Sequence, residues 1–222
     1  MSYSFTDLTA ACHDEWRAYI EHEFVRQLSE GTLEQDVFRH YLKQDYLFLI
    51  HFGRAYALAT YKSRNIAELR HSLDGLKTII DLELGLHVDY CRQWGISEEE
   101  LATLPEARAT MAYTRYVLDT GNRGDLLDMH VALAPCLVGY AVVADWINSR
   151  AETLRGDDNP YEAWIRMYES EGFQAARRAE EAWLDERLAE VTSRRFEELV
   201  TIFRDAIRLE IAFWQQGLDL SI

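Results

Sequence analysis

Apolar residues recur along this chain at intervals of three and four, and no segment shows sustained apolar/polar alternation, which predicts helices throughout and no sheet. The most apolar run is Asp125 to Trp146, DLLDMHVALAPCLVGYAVVADW. Leu126, Met129, Leu133, Leu137, Tyr140 and Val143 fall at helical spacing with almost no charge between Asp128 and Asp145, so this helix is expected to be buried on more than one face. Pro135 removes an amide donor and leaves the Val131 carbonyl without its partner, so a bend is expected beside Cys136.

Around that helix the pattern predicts a first helix from about Asp7 to Glu30, a second from Glu34 to Ser63 and a third from Ile66 to Trp94. A short helix follows Gly95, and another runs from Pro105 to about Thr120; Gly121 and Gly124 bracket the break before the central run, which ends near Arg155. Tyr161 to Tyr168 reads as a short aromatic helix, with Gly172 before an amphipathic stretch to about Glu190 and a last helix from Ser193 to Gly217.

Polar residues inside the apolar stripes change the picture. The second helix reads Phe38, Tyr41, Asp45, Phe48, Phe52, Tyr56, and the last reads Phe203, Ile207, Glu210, Phe213. A carboxylate in an aromatic row loses hydration unless a neighbour or a ligand donates hydrogen bonds to it. The third helix carries Leu69, Leu73, Leu76, Ile80, Glu83, His87, Tyr90 and Trp94 along one face, and Glu83 and His87, four apart, are expected to satisfy each other. His13 and His22 lie off the first stripe and are expected in solvent.

Composition narrows the classes. The chain has 222 residues, enough for one sizeable core, so a single domain over 1–222 is expected. Net charge of -15 opposes nucleic acid and anionic lipid, no uninterrupted apolar run nears a membrane span, and the start MSYSFTDL has neither the basic nor the apolar part of a signal peptide. Cytoplasm is the expected compartment. Cys12, Cys91 and Cys136 are an odd number without a CxxC pair, so reduced thiols are expected and a zinc ribbon is not.

Five phrases carry a resemblance: QDYLFLIHF (Gln44 to Phe52), MAYTRY (Met111 to Tyr116), LAPCLVGY (Leu133 to Tyr140), PYEAWIRMY (Pro160 to Tyr168) and LEIAFW (Leu209 to Trp214). In this order and spacing the chain resembles the thiaminase II, or TenA, family essentially end to end. The resemblance implies an all-α, haem-oxygenase-like helical bundle, a homotetramer, and hydrolysis of thiamin or its aminopyrimidine breakdown product to hydroxymethylpyrimidine for thiamin salvage, with no metal or organic cofactor. Carried over position by position, it implies Cys136 as nucleophile, Glu210 as acid and base, Asp45 as anchor of the aminopyrimidine, and Tyr113, Tyr140, Tyr168 and Phe213 around the ring. Phe48 stands where many members have tyrosine, and the thiol at 136 implies the cysteine-bearing branch.

The chemistry is coherent with those residue types. Thiolate addition to the pyrimidine breaks aromaticity and lets the ring expel its substituent, water then adds to the methylene, and the thiolate leaves. A di-iron oxidase on the same fold would need paired Glu-x-x-His motifs, and only Glu68/His71 has that spacing. A pyrimidine-binding module without catalysis, or a haem binder through His13 or His22, is the remaining alternative.

Overall fold

A computed structural model describes residues 2–222, and every regular element among them is a helix. In chain order these are α1 (Phe5–Ala11), α2 (His13–Ile20), α3 (Glu23–Ser29), α4 (Gln35–Lys62), α5 (Ile66–Lys77), a π-helical stretch (Thr78–Glu83), α6 (Leu84–Gln93), α7 (Glu98–Ala102), α8 (Arg108–Arg123), α9 (Leu126–Ser149), α10 (Glu162–Glu169), α11 (Glu171–Leu188) and α12 (Ser193–Asp219).

The departures from the sequence reading have local causes. The expected first helix is three: His22 turns extended and its Nδ1 accepts from the Phe24 amide, capping a new helix where the stripe alone would continue. His13 is exposed beside Asp14, as expected. Ser170, not Gly172, starts α11, its hydroxyl accepting from the Phe173 amide. The expected third helix contains a π turn, which inserts a residue. Ile79 is buried and Ile80 exposed, and the inward positions are Ser72, Ile79, Glu83, His87 and Cys91; Ser72, ahead of the π turn, already lies off the expected stripe, whereas Glu83 and His87 keep their expected face.

The residues form two compact units. One comprises the chain up to Leu33 together with His130–Trp214; the other comprises Glu34–Met129 and Gln215–Ile222. In the second, α4 packs against α5, α6 and α8. In the first, α11 packs against α1 and α10, and the buried stretch of α9 supplies much of the core.

By length and composition α9 would suffice to cross a membrane, although its apolar run is interrupted by Asp128, His130 and Asp145; 83% of its most apolar window is buried inside the protein, as in the core helix of a globular fold. The Tyr19 ring lies on the turn of α9 around Gly139 and its hydroxyl donates to the Pro135 carbonyl at 3.1 Å. A Cβ on Gly139 would stand 2.5 Å from Tyr19 Cε1, and that ring is fully buried with no room to retreat. Gly139→Ala is therefore expected to destabilise the protein by about 1–3 kcal/mol, read as a lower melting temperature. A melt like the wild type's would mean the ring is not fixed there.

Candidate active site

The second unit holds Asp45, Phe48 and Tyr113. Gln44 sets the relation between their helices. Its side chain is buried, donates to the Pro105 carbonyl at 3.1 Å and accepts from the Ala107 amide at 2.8 Å and the Thr110 hydroxyl at 2.9 Å, which fixes the start of α8 on α4. One turn further along α8, the Tyr113 ring meets Phe48 with centroids 4.9 Å apart, and Phe48 stacks on Phe52 at 5.3 Å. Phe48 and Tyr113 thus make an apolar aromatic wall, of the kind that receives a flat heterocycle.

Asp45 is 4% exposed, and burial pushes its carboxyl up to about 7. The Tyr41 hydroxyl, one helical turn before it, donates to Oδ2 at 3.3 Å and partly opposes that rise. His87 places Nδ1 3.3 Å from the same oxygen and Nε2 2.8 Å from the Leu42 carbonyl. The expected Glu83–His87 pair is thereby corrected: both ring nitrogens of His87 are engaged by α4, at the Asp45 carboxyl and the Leu42 carbonyl. The spacing of four puts Tyr41 within reach of Asp45 without singling it out as the partner, and His87 carried no sequence signal beyond its place in an apolar row.

The first unit holds Cys136, Tyr140, Tyr168, Glu210 and Phe213. Asn159 builds the approach to α10: its side-chain amide donates to the carbonyls of Leu28, Ser29 and Leu154, and its oxygen caps the Tyr161 amide at 2.9 Å. The Tyr161 hydroxyl donates to the Leu33 carbonyl. So anchored, α10 turns Trp164 and Tyr168 inward, where Tyr168 lies 4.9 Å from Tyr140 and 4.8 Å edge-on from Phe173. Tyr140 also meets Trp214 at 5.2 Å, which joins α9 to α12.

Cys136 is one turn from Tyr140 on α9, and Glu210 one turn from Trp214 on α12, so thiol and carboxyl each stand beside a member of one aromatic contact. Glu210 is 1% exposed and Phe213 2%. All three cysteines are buried, Cys136 least completely, at 7% against 0% for Cys12 and Cys91. Burial raises the Cys12 thiol and pushes that of Cys91 up to about 12, so neither holds an appreciable thiolate fraction near neutrality. Chemically, the two units offer a nucleophile, a buried carboxyl and stacking rings in one, and an acid with an aromatic wall in the other.

Residues 10–220 match the model of the TENA/THI-4/PQQC family, a match that runs through both units. The chain is 47% identical over 206 residues to an uncharacterized protein of Haemophilus influenzae, covering 93% of this chain and 94% of that one. It is 35% identical over 206 residues to the aminopyrimidine aminohydrolase of Halalkalibacterium halodurans, covering 92% and 90%. Among solved structures it superposes on a TenA family transcription regulator from Silicibacter sp. TM1040 with a TM-score of 0.90, at 37% identity over 98% of this chain and 97% of that one. The fold alone extends further, to a domain with a heme oxygenase-like fold from Shewanella denitrificans at a TM-score of 0.74 and 13% identity, covering 98% of this chain and 93% of that one.

Proposed function

The chain belongs to the TENA/THI-4/PQQC family, and we propose that it is an aminopyrimidine aminohydrolase of thiamin salvage. What carries the reading is the 35% identity, over nine-tenths of both chains, to a relative of that name, together with a buried, thiol-bearing helix set among aromatics. The substrate is a small aminopyrimidine, and the protein acts as a cytoplasmic homotetramer without a cofactor. Its charge of -15 fits an enzyme that associates with neither nucleic acid nor anionic membranes.

In this reading the Cys136 thiolate adds to the ring carbon next to the one bearing the methylene, and the adjacent ring nitrogen takes up a proton. The ring electrons then expel the protonated amine and leave an exocyclic methylene. Water adds there, losing its proton to Glu210, and the ring nitrogen gives up the proton it took as the thiolate departs and aromaticity returns. The net reaction exchanges the amine for hydroxyl, with water consumed and ammonia released. Asp45 holds the amino group of the ring, and Phe48, Tyr113, Tyr140, Tyr168 and Phe213 pack on its faces. With phenylalanine at 48, no hydroxyl is offered to the ring or thiol from that position.

The test is a side-by-side measurement of kcat/KM on aminomethylpyrimidine and thiamin, following release of hydroxymethylpyrimidine. Asp45→Asn should raise KM clearly, with a smaller loss of kcat, because an anchoring contact acts on ground and transition states alike. Release from neither compound would sink the reading.

A further inference from the structure

The contact between Asp45 and His87 has the distance of an ion pair, yet its hydrogen bonds require something else. The Leu42 carbonyl can only accept, so the His87 nitrogen 2.8 Å from it, Nε2, carries a hydrogen. In the neutral ring Nδ1 is then an acceptor, and it faces Asp45 Oδ2 at 3.3 Å. Two acceptors cannot bond, so one proton must lie between them. Burial puts it on the carboxyl: His87 is pushed down to about 4 while Asp45 is pushed up to about 7.

Tyr41, from Asp45's own helix, donates to Oδ2. Cys91, on α6 with His87, is held protonated by burial. Lys43 is committed to Glu100 at 2.6 Å, and Arg115 of α8 to Glu106 at 2.6 Å. The Tyr41 and His87 contacts both fall on Oδ2, and among the described residues no hydrogen bond reaches Oδ1.

We infer that His87 is a positioning residue that makes Asp45 selective: by holding the carboxyl's one proton on Oδ2, it leaves Oδ1 an acceptor without a hydrogen, fit to receive an amino group and unfit to receive an oxo group. The inference rests on the aminopyrimidine reading above and adds what the anchor discriminates. A carboxyl whose proton is unclaimed can rotate and donate through either oxygen, so it accepts an oxo-pyrimidine nearly as well as an amino-pyrimidine. A site that holds its acceptor fixed leaves two lone pairs facing each other when the oxo compound enters, a mismatch of the kind that gives large discrimination.

The experiment compares aminomethylpyrimidine with its counterpart in which the ring amino group is replaced by oxo, measured as kcat/KM and as direct binding in wild type, His87→Phe and His87→Gln. The amino-over-oxo preference should fall by about tenfold or more in His87→Phe. It should recover in part in His87→Gln, whose amide supplies one donor for Leu42 and one acceptor for Asp45. A merely structural histidine would weaken both compounds alike and leave the ratio unchanged, which would overturn the inference. Difference infrared spectroscopy supplies a readout without substrate: at pH 6 the wild type should show a protonated carboxyl band that Asp45→Asn lacks, and its absence would also overturn the inference. A wild type that shows this band and turns over neither aminomethylpyrimidine nor thiamin would overturn the functional reading and the selectivity with it, leaving only the proton on Asp45.

Discussion

Replacing Cys136 by serine is expected to leave a folded protein whose turnover has fallen by about 10³-fold or more, the scale at which covalent enzymes lose rate when their nucleophile is removed. The substitution is nearly isosteric and Cys136 keeps only 7% exposure, so little packing is lost and the melt should stay close to the wild type's. What changes is nucleophilicity. A serine hydroxyl at neutral pH holds almost no oxyanion, and addition to an aromatic ring needs a soft, ionised attacker. Cys12→Ser and Cys91→Ser should keep kcat. The Cys12 thiol donates to the Val200 carbonyl at 3.7 Å and lies within hydrogen-bond reach of Arg204, contacts that serine can replace, and Cys91 is kept protonated by its burial. Alkylation with iodoacetamide offers a second reading, since the native protein should be modified at Cys136 first and lose activity in step. A Cys136→Ser protein with comparable turnover would remove the covalent mechanism.

The same three thiols show how much of this protein could be read before its fold. Their reduced state followed from number and spacing, and the prominence of Cys136 from its place beside Pro135 in the most apolar run. That Cys91 lies deep in the second unit, near enough for the Asp45 charge to raise its pKa, was not legible. Helical periodicity assumes a constant advance per residue, which the π turn at Thr78–Glu83 breaks, so that beyond it Cys91 takes the inward place the stripe gave to Tyr90. The long helices α4 and α12 were legible because each keeps an apolar stripe over many turns, and α9 because it is apolar on nearly every face. The split of the first helix was not, because its breaks at Cys12 and at Glu21–His22 involve neither glycine nor proline, and the second is made by a histidine acting as a cap. Asp45 and Glu210 were visible as carboxylates in aromatic rows. What the rows could not say was which partners they meet, since such contacts are set by packing between helices far apart in sequence.

Glu210 brings the second large effect, because Glu210→Gln keeps the shape of the side chain and removes its ability to take or give a proton. If it moves the protons of the reaction, kcat should fall by about 10²- to 10⁴-fold, the usual range for a general acid or base, while substrate affinity by direct binding changes little. The structural alternative makes a different forecast. Glu210 is 1% exposed on α12 beside Phe213 and Trp214, so a glutamate that merely satisfied a core partner would leave that partner short when neutralised, and the variant would lose stability. The two therefore separate on different axes: the catalytic role appears in kcat with the melt unchanged, the structural role in the melt with kcat per folded molecule unchanged. Comparison with Asp45→Asn sharpens the contrast, because an anchor raises KM where a proton carrier lowers kcat, and one assay series reads both. A Glu210→Gln protein that melts like wild type and keeps wild-type kcat would take Glu210 out of the mechanism, and the proton of the attacking water would need another acceptor.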